Sequence, residues 1–480
     1  MLKLVVRIFF LGMAIICLSC GGSIAPAPTP SDFSVLVFSD LHFNPFYDTA
    51  RFNTDPSACT TLANESPSQW ASFFQASAVT AAGPWGTDTN YPLLTLALAS
   101  IKRNEGTTPL VLFTGDLIGH NLPSLFYQYC EGGNTTNVAA MQAFIDKTVA
   151  FVTSQVRVAA GNVPVLFAVG NIDSYTGYGP DSTFLSHNAE TLYTQLLNGS
   201  VNHQTFLSTF TSGGYYSAQP LGSRLMVIGL NTNVMALGVP GDNDGAVAAE
   251  LAWLDSQLGA AEASGKKVWL LMHVPPGANT VSTAPGVDGN GHIVNATMMM
   301  YQSYQSTFLQ ILSKYPGLIT LTLGAHTHMD EYRILTANEV LIEVPGISPC
   351  FGENPAYKIL TLTGDTLTPV DYTAWNYDLA VMPADFGDNY TFSTAYSISG
   401  PLNAGLLQLY SELATNVPLT TTQPNAQQTF YMQHYLSGNN STHGNPGVPW
   451  NPITDANWPV FACGIGKMSQ TDFTDCVNAY

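Results

Sequence analysis

Basic side chains are scarce in this sequence: Lys and Arg total 14 against 33 Asp and Glu in 480 residues, a formal net charge of −19. Such a field repels long polyanions, which excludes nucleic acid as a partner unless a local cationic centre outweighs it. Charged residues of both signs make up only 10%, whereas hydrophobic ones reach 46%. That balance excludes an intrinsically disordered chain. Past the N-terminus no apolar run approaches the roughly 20 residues of a membrane-spanning helix. No internal repeat marks a solenoid. Cysteines are few and too scattered for a zinc-finger arrangement.

The N-terminus has the three parts of a secretory signal, Lys3 and Arg7, the apolar run Ile8 to Leu18, and small residues from Ser19 to Ser23. Residues 1–24 are therefore expected to be removed and the chain exported. Cys20, followed by a Pro-rich linker over 25–32, also suits a lipoprotein cleavage site. The chain is then either secreted or tethered to a membrane through lipidated Cys20. Export makes disulfides the natural use of the remaining cysteines. Cys463 with Cys476 is the nearest pair in sequence, and Cys59 with Cys130 is the second expectation, which leaves Cys350 unpaired.

Short β-branched or apolar runs recur, each ending in a polar cluster: Val35–Phe38, Leu110–Phe113, Val165–Val169, Leu225–Ile228, Val268–Leu271 and Ile319–Thr322. Helical patterns lie between them, at Tyr91–Ile101, Val138–Val156, Ala246–Ala261 and Met298–Leu312. The alternation predicts a layered α/β core. Strands at Val340–Val344 and Tyr357–Leu362 lack a helix between them, so part of the sheet is expected to be mixed or antiparallel. A catalytic domain over 33–370 and a small C-terminal appendage over 371–480, closed by Cys463 and Cys476, are the expected division.

In α/β sheets, functional groups collect beyond the carboxyl ends of strands. Five of these strands run into metal-capable residues: Asp40 and His42, Asp116, Asn171, His273, and His326 with His328. Members of each two-apart pair project to one face of extended backbone. Asp116, beside Gly115, can offer carboxylate oxygens to two cations and is the natural bridge. Mixed imidazole and oxygen donors suit zinc, manganese or iron rather than magnesium or calcium. His187, His203, His292, His434 and His443 fall outside this pattern and are expected on the surface or in loops, and Tyr175 and Tyr178 in ordinary loop packing.

The order Asp40-Leu41-His42, Gly115-Asp116, Gly170-Asn171, His273 and Ala325-His326-Thr327-His328 resembles that of the calcineurin-like metallophosphoesterases. GDLIGHN from Gly115, HVPPG from His273, HTHMDEY from His326 and SPCFGENPAYKI from Ser348 are similar to the acid sphingomyelinase-like phosphodiesterases, over about Phe33 to Val370. The resemblance implies the layered metallophosphoesterase fold, with central mixed β-sheets flanked by helices, and two divalent metal ions, usually zinc. Asp40, His42, Asp116 and His328 would hold one and Asp116, Asn171, His273 and His326 the other. His120 would protonate or orient the leaving oxygen. Paired cations lower the pKa of a bridging water and clamp phosphoryl oxygens for in-line attack, so the expected activity is phosphodiester or phosphoanhydride hydrolysis. Two positions depart from the pattern: Ala325 replaces a glycine, and Ile172 stands where the superfamily often has a histidine that assists the leaving group. Only about forty residues precede Asp40, nearly all read as signal and spacer. The saposin-type module of true acid sphingomyelinases does not fit there, which favours a small soluble phosphorylated substrate, nucleotide-like or polyphosphate, over sphingomyelin.

Overall fold

A computed structural model describes residues 31–106, 108–239, 243–415, 423–438 and 453–480. The signal at 1–24, Cys20, most of the linker and His443 lie outside these residues. Twelve strands are described: β1 (Phe33–Phe38), β2 (Val111–Phe113), β3 (Val165–Phe167), β4 (Tyr216–Ala218), β5 (Leu225–Gly229), β6 (Lys267–Leu271), β7 (Ile319–Gly324), β8 (Tyr332–Ile334), β9 (Val340–Glu343), β10 (Ala356–Leu362), β11 (Pro369–Asn376) and β12 (Gly387–Thr391). They form two six-stranded sheets, β12-β11-β10-β1-β2-β3 and β4-β5-β6-β7-β9-β8. In the first, β1-β2-β3 run parallel, β10 pairs antiparallel with β1, and β11 and β12 follow, each antiparallel to the strand before it. In the second, β5-β6-β7-β9 are parallel, with β4 and β8 antiparallel at the edges. Both sheets are mixed, as the helix-free stretch after Val340 implied.

The parallel strands are apolar on both faces because both are covered. On β6, Trp269 and Leu271 join the cluster that holds Val35, Leu112 and Leu166 of the first sheet, so the two sheets share one core. Val268 and Leu270 point the other way, into a second cluster with Leu251, Leu254 and Leu258 of the helix Asp244–Ala263 and Phe308 and Ile311 of the helix Gln302–Ser313. That alternation follows from the two-residue period of a strand.

Helix Tyr91–Asn104 begins where Asn90 accepts from Leu93 N and Pro92 sits in the first turn. Helix Val138–Ala160 is capped in the same way by Asn137. The helix expected from Met298 starts only at Gln302. Met298 and Met300 form bridges to Ala278 and Ala236 instead, so their apolar side chains belong to loop ends rather than a helix face. Strand β11 carries the first sheet across residue 370, where the domain boundary was placed. The last two helices, Trp458–Gly466 and Gln470–Asn478, are joined by Cys463–Cys476. Cys59 pairs with Cys130, and Cys350 is free. Among the described residues, no helix is long and apolar enough to cross a membrane.

Candidate dinuclear metal centre

The segments following β1, β2, β3, β6 and β7 meet at one place and bring all seven predicted ligand residues together. Asp40, His42, Asp116, Asn171, His273 and His328 are almost fully buried, and His326 is half-buried. Five of the seven have positive φ: Asp40 at 49°, His42 at 39°, Asp116 at 61°, His326 at 75° and His328 at 66°. A left-handed conformation costs an L-residue on the order of 1–2 kcal/mol. Its concentration here marks a site where surrounding contacts impose the backbone.

Those contacts begin with the histidine Nδ1 atoms. Nδ1 of His42 lies 3.2 Å from Ile118 O, that of His273 2.8 Å from Thr114 O, and that of His328 2.7 Å from Glu353 Oε1 and 3.1 Å from Ser348 O. Every one of these partners is an acceptor, so each Nδ1 carries a proton and each ring turns its Nε2 inward. His42 Nε2 then stands 3.1 Å from His328 Nε2, and His273 Nε2 stands 2.8 Å from Asn171 Oδ1. Asp116 Oδ2 lies 3.3 Å from His42 Nε2 and 3.1 Å from His273 Nε2, between the two groups. Both oxygens of Asp40 are buried without a hydrogen bond. These inward-facing imidazole nitrogens, buried carboxylate oxygens and the Asn171 amide oxygen form a donor set that fits divalent metal.

Asp116 uses its two oxygens differently. Oδ1 accepts from Ile172 N at 2.8 Å, which leaves Oδ2 as the oxygen shared between His42 and His273. The close approach depends on Gly170, since a Cβ there would lie 1.9 Å from Asp116 Oδ1. Ile172 thus supplies a main-chain donor, while its side chain is buried. Ala325 has no positive φ and donates its N–H to His273 O at 2.9 Å, so nothing at that position requires glycine.

The field calls for positive charge. Burial works against ionised Asp40, yet His328, His42 and His273 hold its carboxyl well below the usual range. Burial likewise opposes a charge on His273, but Asp116 and Asp40 outweigh it and lift the ring to about 9. Burial and the neighbouring His273 push His326 down to about 3. Protons or cations can supply the charge that the two carboxylates demand.

His120 stands at the rim, 28% exposed, its ring stacked on His42 at 4.2 Å. Asp88, Asp173 and Glu353 were not singled out from sequence. Asp88 Oδ1 takes the His120 Nδ1 proton at 2.7 Å and Oδ2 accepts from His120 N at 2.8 Å. Asp173 accepts from Gly170 N, Asp116 N and Leu117 N, tying the second strand's loop to the third's. Burial, with Asp116 beside it, pushes its carboxyl up to about 6. Glu353 lies inside the SPCFGENPAYKI motif and Asp173 two residues after Asn171, but Asp88 lies in a loop with no pattern to flag it. His434, expected on the surface or in a loop, is buried at the end of the helix Ala426–His434, where it stacks on Phe430 at 3.8 Å and bonds Phe430 O. His187, His203 and His292 are exposed.

The layered mixed sheets carry facing imidazole and carboxylate groups whose donor set fits divalent cations. The chain belongs to the calcineurin-like phosphoesterase family, whose pattern matches residues 33–330. It is 24% identical to sphingomyelin phosphodiesterase B of Dictyostelium discoideum over 484 residues, 95% of this chain and 66% of that one. To sphingomyelin phosphodiesterase of Homo sapiens it is 26% identical over 303 residues, 59% of this chain and 42% of that one. A cyclic GMP-AMP phosphodiesterase of Mus musculus is 23% identical over 440 residues, 85% of this chain and 87% of that one. The chain therefore spans less than two thirds of the two sphingomyelin phosphodiesterases.

Proposed function

We propose that this chain is an exported phosphodiesterase that cleaves a phosphodiester or phosphoanhydride bond in a small soluble substrate, nucleotide-like or polyphosphate. The observation that carries this reading is the inward convergence of imidazole nitrogens on Asp116 Oδ2, which stands between the His42–His328 pair and the His273–Asn171 pair. Asp40, His42, Asp116 and His328 would hold one cation and Asp116, Asn171, His273 and His326 the other, with zinc the metal. Such a pair supplies an activated water and neutralises the phosphoryl oxygens.

The chain's own residues do the rest. Asp173 fixes the main chain around Asp116 and Gly170. Glu353 orients His328. Asp88 accepts the His120 Nδ1 proton, which leaves Nε2 as the nitrogen that delivers a proton to the leaving oxygen. The buried Ile172 offers no side-chain acid, so that task rests on His120.

The test is hydrolysis of bis-(p-nitrophenyl) phosphate by purified protein supplied with zinc, then stripped with a chelator. Chelator-sensitive turnover that Asp116→Ala abolishes supports the proposal. Two bound zinc ions with no turnover from acidic to neutral pH would sink it. Nucleoside triphosphates, cyclic dinucleotides, polyphosphate and sphingomyelin, assayed side by side, then decide the substrate.

A further inference from the structure

A buried ion network lies behind the last two histidine loops. Arg333, on β8, is 1% exposed, and Glu343, at the end of β9, is fully buried. Arg333 Nε donates to Glu343 Oε1. Its Nη1 donates to Ala278 O at 2.7 Å and Pro276 O at 3.2 Å, in the loop that leaves His273. Glu343's other oxygen, Oε2, accepts from Thr327 Oγ1 at 2.6 Å. Lys358 Nζ holds the Glu343 carbonyl at 2.7 Å. One guanidinium and one carboxylate therefore join the loop after His273 to the residue between His326 and His328.

Two features show that this contact is more than packing. His326 and His328, on either side of Thr327, both hold left-handed backbone at φ 75° and 66°. Such residues persist only where their surroundings over-determine them. The other end of the brace is shaped to admit the guanidinium: a Cβ on Gly277, whose φ is 105°, would meet Arg333 Nη1 at 2.8 Å. The two histidines also differ in support. His328 has Glu353 and Ser348 on its Nδ1, whereas His326 has no side-chain hydrogen bond among the described residues and is more exposed.

We infer that Thr327, Glu343 and Arg333 are positioning residues that hold His326 in place for the second cation, the one it would share with Asn171, His273 and Asp116. This rests on the dinuclear reading above. Neither Thr327, Glu343 nor Arg333 touches the reacting groups. Their effect passes through the backbone of His326 and through the loop after His273.

Thr327→Val removes the hydroxyl and keeps the shape, so it isolates the brace. The readouts are zinc stoichiometry after dialysis and affinity by chelator competition, with the unfolding midpoint of the metal-free protein as a check on folding. Removing partners that orient metal ligands weakens binding by roughly 10–100-fold. The expected result is two zinc ions on the wild type, one tight ion on Thr327→Val with the second weakened to that extent, and recovery of the second ion in Thr327→Ser. Glu343→Gln should show the same selective loss, with bis-(p-nitrophenyl) phosphate turnover falling in kcat as the second ion is lost. A wild type that binds fewer than two ions would overturn the dinuclear reading itself. A wild type with two ions and a Thr327→Val variant that keeps both at unchanged affinity, or loses both equally, would overturn the brace alone. If Thr327→Val fails to fold, Glu343→Gln and Thr327→Ser carry the same comparison.

Discussion

Replacing Asp88 by Asn should slow turnover in a way that depends on the leaving group. In the structure one carboxylate serves two donors, His120 Nδ1 at 2.7 Å and His120 N at 2.8 Å. Asn has a single oxygen, so one of these donors would face an amide N–H. When His120 carries a second proton for the leaving oxygen, Asp88 stabilises the resulting imidazolium, and Asn cannot. A hydrogen bond to a charged group is worth about 1.5–3 kcal/mol, and Asp88 is only 10% exposed, so solvent screens little of it. At about 1.4 kcal/mol per decade that is a fall of roughly 10- to 150-fold in kcat. His120→Ala removes the acid itself, worth roughly 10²–10⁴-fold. The assay is steady-state hydrolysis of a series of aryl and alkyl phosphodiesters. Both variants should lose most on alkyl esters and little on p-nitrophenyl esters, whose anion leaves unaided. Asp88→Asn added to His120→Ala should cost nothing further, because the two residues act as one unit. Equal losses across the series, or additive losses in the double variant, would refute the assignment.

Gly170→Ala places a methyl group 1.9 Å from Asp116 Oδ1. It should abolish bis-(p-nitrophenyl) phosphate turnover and lower bound zinc, as read by elemental analysis, while far-ultraviolet circular dichroism stays native. Glu250 is buried, one oxygen accepting from Asn231 N and the other without a partner, and burial raises its carboxyl to about 8. Because the folded value lies above the unfolded one, the unfolded chain sheds this proton first. Stability should therefore fall as pH rises from about 4.5 to 8, by up to about 1.4 kcal/mol per unit. Glu250→Gln keeps the Asn231 contact and should flatten that decline in denaturant melts, and an unchanged slope would show that Glu250 is not its source.

The layered core was legible in the sequence because its parallel strands are short continuous apolar runs, each stopping at a polar cluster. The seven candidate ligands were legible for the same reason: a ligand at a strand end interrupts hydrophobicity at a fixed place. Asp88 gave no such signal, since it reaches His120 from a loop and its role exists only in three dimensions. Glu343 and Arg333 were hidden differently. Arg333 lies in the short edge strand β8, where a charged residue normally faces water, and Glu343 ends its inner neighbour β9; both are buried where the C-terminal helices cover these strands. His434 shows the same blind spot, because stacking on Phe430 is a property of a surface that closes late in the chain. The start of the helix at Gln302 was missed because the apolar run Met298–Met300 leads straight into the helix, yet Met298 and Met300 are held by backbone bridges. Nor did periodicity reveal the positive φ values. Asp, Asn and His tolerate that region better than most residues, so the candidate ligands are also residue types that suit this backbone.

Asp40, His42, Asp116 and Asn171 hang from the first sheet, and His273, His326 and His328 from the second. Neither sheet alone contains a complete set for either cation. On the proposed assignment the centre is a product of the interface between the sheets: a fragment ending before β6 would keep Asp40, His42, Asp116 and Asn171 but lack His273, His326 and His328. Cations held there would cross-link the two sheets, so that metal loading and closure of the seam between them would be coupled.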